Sequence, residues 1–193
     1  MSEAYLRTDE REDLIASLKL VRLSLQQCAL DSQYWKWVLI GAHASLQAAI
    51  VFHLSFGNNL LVAKLGHAHK WLDAHREHTA YPDMHMGYFM DLYRKSKTQE
   101  ILGFRLATTQ SQDCNVDRLL DFRNAFIHFM PKGWSIELAG LPGICMDSLN
   151  IVEGLAQGPI ESRWESDLQR SEFAELLFDC ITLLRNLRDA DSG

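Results

Sequence analysis

Three side chains suited to phosphate chemistry lie close together near the middle of the chain. The segment is NVDRLLDFRNAFIHFMPKG, residues 115–133, and it carries Arg123, Asn124 and His128. A histidine titrates at about pH 6.5 and can give or take a proton, while a guanidinium stays charged and can pair with two phosphate oxygens. Together these groups could cleave an RNA phosphodiester through attack by its own 2′-hydroxyl, with Asn124 orienting His128 or the phosphate.

The three side chains must be positioned by a helix. Apolar residues recur at helical spacing through residues 115–133, with Asn115 as the expected cap and Pro131 close to the expected end. On such a helix Asn124 and His128 share a face, whereas Arg123 lies about 140° further round. Only the length of its side chain lets the guanidinium of Arg123 join the other two.

The run Arg123-Asn124-Ala125-Phe126-Ile127-His128 resembles the R-x4-6-H signature of the HEPN superfamily. The resemblance implies a small helical bundle that forms a homodimer. It also implies a metal-independent endoribonuclease, acting as a toxin or a phage-defence effector, with Arg123, His128 and Asn124 as catalytic residues. Because one helix supplies one histidine, two chains meeting at these helices would form a composite site at their interface.

The resemblance and the neighbouring residues also suggest what this protein binds. RNA is the expected substrate, an antitoxin or regulatory protein is a candidate partner, and no cofactor or metal is expected. Lys132 and Trp134 follow the helix closely, so they are candidate substrate-binding residues that would hold the backbone and stack on a base. The alternative for Trp134 is a place in the hydrophobic core.

Two other functions remain open from the residues alone. The first is a non-catalytic HEPN-like module that binds a nucleotide, RNA or a partner. The second, a metal-dependent helical-bundle enzyme, is suggested by a cluster of histidines: His67, His69, His75, His78 and His85. On a helix His67, His75 and His78 share one stripe, and a divalent metal needs three or four converging ligands. The simpler interpretation is a histidine face that is solvated or faces RNA.

Composition favours one soluble domain, residues 1–193. The chain has 193 residues, of which 47% are hydrophobic, and this is enough for a substantial core. Its net charge of −6 belongs to the ends: residues 1–31 carry −2, residues 32–146 carry +2 and residues 147–193 carry −6. The mildly basic middle permits contact with phosphates. Four separated cysteines and the lack of a secretory pattern predict a reducing, cytoplasmic setting.

The hydrophobic pattern predicts an all-α fold, a single antiparallel helical bundle of about five to seven helices, HEPN-like, with a short extended segment at residues 134–138. Helices are predicted at about residues 8–28, 60–78, 83–102, 115–130, 141–156 and 163–188, with a loop at 108–115. Residues 38–63 contain no Lys, Arg, Asp or Glu. We expect that stretch to supply a central bundle helix and not a membrane span, since His43, Gln47 and His53 interrupt its apolar character.

Overall fold

A computed structural model of the chain describes residues 5–57, 59–128, 131 and 133–190. The described residues form seven α-helices and two short 3₁₀ turns, and they contain isolated β-bridges but no β-strand. The predicted all-α bundle is therefore confirmed. The helices are α1 (Glu10–Cys28), α2 (Trp35–Leu54), α3 (Leu65–Glu77), α4 (Phe89–Thr98), α5 (Gln110–Ile127), α6 (Leu141–Ala156) and α7 (Asp167–Ala190).

Helix α2 is the centre of the bundle. It packs against α1, α4, α5 and α6, and most of its residues are buried, including Val38, Leu46 and Ile50. The segment Ser32–Leu54 is long and apolar enough to cross a membrane, but 72% of its most apolar window is buried inside the bundle. A core helix of a soluble protein has this property, so the fold is compatible with a soluble protein.

Helices α1 and α2 approach each other closely at Gly41. At Gly41 a Cβ atom would lie 2.9 Å from Cγ2 of Val21, a fully buried residue of α1. The hydroxyl of Ser45 donates to the Gly41 carbonyl at 2.9 Å. The absence of a side chain at Gly41 therefore sets the distance between the two helices.

A cluster of hydrogen bonds fixes the start of α5 against α4. Asp113 accepts from the Tyr93 hydroxyl at 2.7 Å and the Thr108 hydroxyl at 2.8 Å, and Lys97 donates to both of its carboxylate oxygens at 2.6 and 2.7 Å. Burial raises the pKa of Asp113, but the hydrogen bonds from Lys97, Tyr93 and Thr108 together outweigh it and hold that pKa below its usual range. The cluster holds the N-terminal end of α5 in place.

The predicted start of this helix was wrong. Residues 108–115 were expected to form a loop, but α5 begins at Gln110 behind a capping box made by Thr109 and Gln112. Asn115 is not the cap, since its amide donates to the Asp147 carboxylate of α6 at 2.7 Å. The polar residues that suggested a loop form the exposed first turns of the helix.

The other helix boundaries agree in part with the pattern. Helix α6 matches its predicted range, and the buried stripes of α1 and α7 are those expected from the sequence. Helices α3 and α4 are shorter than predicted, because residues 59–64 and 81–88 form turns and irregular segments. Residues 133–137 have no regular secondary structure, so the expected extended segment forms no strand.

A substitution at Gly41 of α2 tests the packing of α1 on α2, and a substitution at Gly154 of α6 is its control. Alanine at either position removes the helix penalty of glycine, which is worth about 0.5–1 kcal/mol. Gly154→Ala should therefore stabilise the protein, because no atom lies within 4 Å of the added Cβ. Gly41→Ala should instead lose about 1–3 kcal/mol of stability to overpacking against Val21. Urea unfolding of the two variants measures the difference, and equal stabilisation by both would contradict this packing.

Candidate functional site

Arg123 continues the buried stripe of α5. It follows Val116 and Leu119, both of which are buried, at helical spacing, so its side chain starts on the core-facing side of the helix. The residue is half-buried, and its Nη1 donates to Oδ1 of Asn124 at 3.0 Å. The structure therefore brings the side chains of Arg123 and Asn124 together, although the helical spacing alone puts Asn124 on a face with His128 and not with Arg123. A purely structural role would pair Arg123 and His128 with a neighbouring carboxylate such as Asp121, but Asp121 forms no ion pair with either residue in the described part of the chain.

His128 lies at the very end of α5. Its backbone N–H donates to the Asn124 carbonyl at 2.9 Å, and its φ of −102° and ψ of 48° end the helix. The helix was predicted to continue to about residue 130, whereas α5 ends at Ile127. The His128 imidazole is exposed, and among the described residues it has no hydrogen-bond partner. Phe129, Met130 and the predicted substrate-binding residue Lys132 lie outside the described residues.

A second histidine, which the sequence analysis did not select, faces the site from α2. His43 is only 3% exposed, and its Nε2 has no hydrogen-bond partner among the described residues. Its ring packs against Phe89 with the centroids 4.4 Å apart. Burial, and next the positive charge of Arg123, lower the pKa of His43 to about 4. The imidazole opposite Arg123 is therefore neutral at neutral pH.

One feature of the sequence pointed to His43, namely its position within residues 38–63, which contain no Lys, Arg, Asp or Glu. A histidine there must be buried, but the pattern of one helix does not show which neighbour it meets. The contact with the surroundings of Arg123 depends on how α2 packs against α5. The signal therefore needed the tertiary structure before it could be interpreted.

Trp134 is packed on one side and exposed on the other. Its ring lies 5.0 Å from the ring of Phe126, yet 38% of the residue is exposed. It borders a cleft of about 320 Å³ between the start of α2 and the segment that follows α5. Trp134 is thus partly packed and partly available to a ligand near the end of α5.

The histidine cluster is held by aromatic contacts. Nδ1 of His75 lies 2.9 Å from the Tyr81 hydroxyl, the Trp71 ring stacks on Tyr81 at 4.6 Å, and the rings of His67 and His85 are 4.5 Å apart. His78 leaves the helix with a left-handed φ of 54°, so it does not continue the predicted stripe. No group of three or more His, Cys, Asp or Glu residues in the described ranges could hold a metal ion.

Comparison with models of protein families, with curated proteins and with solved structures finds no match to this chain. The resemblance to the HEPN superfamily therefore rests on residues 123–128. Any functional inference depends on the chemistry and geometry of the side chains around the end of α5.

A pH titration of stability tests the buried histidines. The pKa values of His43 and His53 are each lowered from 6.5 to about 4, first by burial and then by Arg123 and Arg163 respectively. Between those values the unfolded chain binds more protons than the folded chain, so stability falls as pH decreases from 6.5 towards 4. Each histidine contributes a slope of up to about 1.4 kcal/mol per pH unit.

The measurement is the free energy of urea unfolding across this range of pH, for wild type and for the double variant His43→Leu, His53→Leu. Leucine does not titrate, so we expect the profile of the variant to be flatter. A variant profile parallel to that of the wild type would show that these two histidines do not cause the acid sensitivity.

Proposed function

We propose that this chain is a metal-independent endoribonuclease that cleaves RNA by attack of the 2′-hydroxyl on the adjacent phosphate. The observation that carries the proposal is the arrangement at the end of α5. There Arg123 is half-buried and bonded to Asn124, and His128 is presented to solvent at the same helix end. The reaction requires a cation for the phosphate and an imidazole for proton transfer, and α5 carries both groups in its C-terminal part.

Each group has a defined role in the proposed reaction. A base takes the proton of the 2′-hydroxyl, the 2′-oxygen bonds to phosphorus, and the bond to the 5′-oxygen breaks as an acid protonates that oxygen. The products are a 2′,3′-cyclic phosphate and a 5′-hydroxyl. Arg123 pairs with the charged phosphate oxygens, and Asn124 holds the guanidinium in place. The imidazole of His128 supplies the proton transfer.

One chain presents one His128, whereas the reaction needs both a base and an acid. A two-fold homodimer with the α5 ends facing each other would supply two imidazoles in a composite site. Ile127, next to His128, is 49% exposed and could be covered by the second chain. We propose this dimer together with the activity, in a cytoplasmic toxin or phage-defence effector that an antitoxin or regulatory protein controls.

One observation favours the non-catalytic alternative. Although the backbone N–H of His128 donates to the Asn124 carbonyl, its imidazole forms no hydrogen bond with Arg123 or Asn124 among the described residues. This is expected for a site that binds a nucleotide or RNA without turnover. Cleavage assays separate the two functions, because a binding module retains affinity for RNA but yields no 2′,3′-cyclic ends. The metal-dependent alternative has no such support, since His78 lies off the stripe of His67 and His75.

Assays on total cellular RNA test the activity directly. Cleavage should persist in EDTA, because the proposed groups need no metal. His128→Ala and Arg123→Ala should each lower the rate by about a hundredfold or more, which is the usual contribution of a proton-transfer group or a charge-stabilising donor. His69→Ala, a substitution of an exposed histidine on α3, is the matched control and should cleave as the wild type does.

Melting temperatures complete this experiment. Partly exposed polar residues usually cost under about 1 kcal/mol when replaced, so both variants should stay folded. Unfolding of either variant would give Arg123 or His128 a structural role. Loss of cleavage in EDTA that zinc or manganese restores would contradict the proposed chemistry.

A further inference from the structure

A cleft beside the end of α5 has the size and the chemistry of a ligand site. It lies between the start of α2 and residues 134–138, and its volume is about 320 Å³. Small-molecule sites in proteins commonly span about 300–1,000 Å³. Phe126, one of its lining residues, is one helical turn beyond Arg123, so the cleft adjoins the proposed phosphate site.

The walls of the cleft suit a flat aromatic ring. Trp134 and Phe126 form one side, with their rings 5.0 Å apart and inclined by 56°. Ile136 and Leu141 add apolar surface. Since 38% of Trp134 is exposed, its indole offers surface on which a planar ligand can stack.

The rim of the cleft carries polar groups that are not used within the protein. The side-chain amide of Gln33 and the hydroxyl of Ser135 have no hydrogen-bond partner among the described residues. Lys36 lies at the same rim, where its ammonium is 4.9 Å from the Trp37 ring and forms no ion pair with a described carboxylate. An amide that can donate and accept, beside a cation, matches a base edge and its phosphate.

Charge distinguishes this cleft from the larger groove between α6 and α7. That groove has a volume of about 500 Å³, and its lining carries two carboxylates, Glu153 and Glu161, and two guanidiniums, Arg170 and Arg185. The lining of the smaller cleft contains Lys36 and no carboxylate. The lining of the larger groove is therefore balanced in charge, whereas the cleft beside α5 has one net positive charge and also lies next to Arg123.

We propose that this cleft binds one unpaired base of a single-stranded RNA substrate, next to the phosphate held at Arg123. Trp134 stacks on the base, Gln33 hydrogen-bonds its edge, and Lys36 contacts a neighbouring phosphate. The proposal rests on the proposed function for the identity of the ligand as RNA, and it adds the substrate class and the source of base preference. A paired base has both faces stacked and its edge occupied, so duplex RNA does not fit this arrangement.

The test measures affinity and not cleavage. Fluorescence anisotropy with labelled tetranucleotides of A, C, G or U is measured in a His128→Ala background, where the RNA stays intact. Trp134→Leu should weaken binding by about five- to a hundredfold, the usual effect of removing one base–aromatic stack. Trp134→Phe keeps an aromatic ring and should restore most of the affinity.

The polar rim is tested in the same assay. Gln33→Leu should abolish differences in affinity among the four oligonucleotides, because it removes the group that contacts the base edge. Lys36→Ala should reduce the salt dependence of binding by about one phosphate contact. Trp71→Leu on α3 and Lys70→Ala are the matched controls, and both should bind RNA as the parent does.

The outcomes distinguish this inference from the proposed activity. If the wild type fails to cleave RNA but binding depends on Trp134 and Gln33, the base site stands and the ribonuclease proposal fails. If the wild type cleaves RNA and neither substitution changes affinity, the base site is overturned. Binding that depends on Trp71 instead would place RNA on the histidine face and would also overturn it. Should Trp134→Leu unfold, Trp134→Phe and Gln33→Leu keep the test decisive.

Discussion

A guanidinium at the end of a core-facing stripe constrains the whole site. Arg123 follows Val116 and Leu119 on α5, but unlike them it carries a charged side chain. Such a group cannot be fully buried without a partner. It lies instead at the edge of the core, half-buried and bonded to Asn124, and this places a fixed cation beside the surface where α5 ends.

The charge of Arg123 also affects the histidine that faces it from α2. His43 of α2 is buried near Arg123, and its imidazole remains neutral because burial and the guanidinium both disfavour a second positive charge. The centre of the bundle therefore contacts the candidate site through an uncharged ring. A cation that is oriented by its neighbours needs little rearrangement to receive a phosphate, and this is the property on which the proposed catalysis depends.

Much of the fold could be predicted because it follows from local periodicity. The buried stripes of α1 and α7 and the limits of α6 were read correctly from apolar spacing. The start of α5 could not be predicted from apolar spacing, because the first turn is polar and exposed and therefore resembles a loop. The capping box at Thr109 identifies it as the start of a helix. The ends of α3 and α4 depend on turns at residues 59–64 and 81–88, where no periodic signal exists.

Less of the candidate site could be predicted. The helical spacing put Asn124 and His128 on one face and Arg123 about 140° further round, so the bond from Arg123 to Asn124 depends on the reach of the Arg123 side chain. His43 belongs to another helix, and the cleft that joins Gln33 and Lys36 to Trp134 unites segments far apart in sequence. The prediction that His67, His75 and His78 share one stripe was wrong, because His78 lies beyond the end of α3 in a left-handed conformation. The spacing of the histidines does not show where the helix ends.

The central claim is that the end of α5 forms a catalytic site that a second chain completes. The most direct measurement is the RNA cleavage rate of mixed dimers, in which wild-type chains are co-expressed with an excess of chains carrying Arg123→Ala and His128→Ala. A shared site predicts activity well below that expected from simple dilution. Activity that falls only in proportion to wild-type content, or a protein that stays monomeric at micromolar concentration, would contradict the claim.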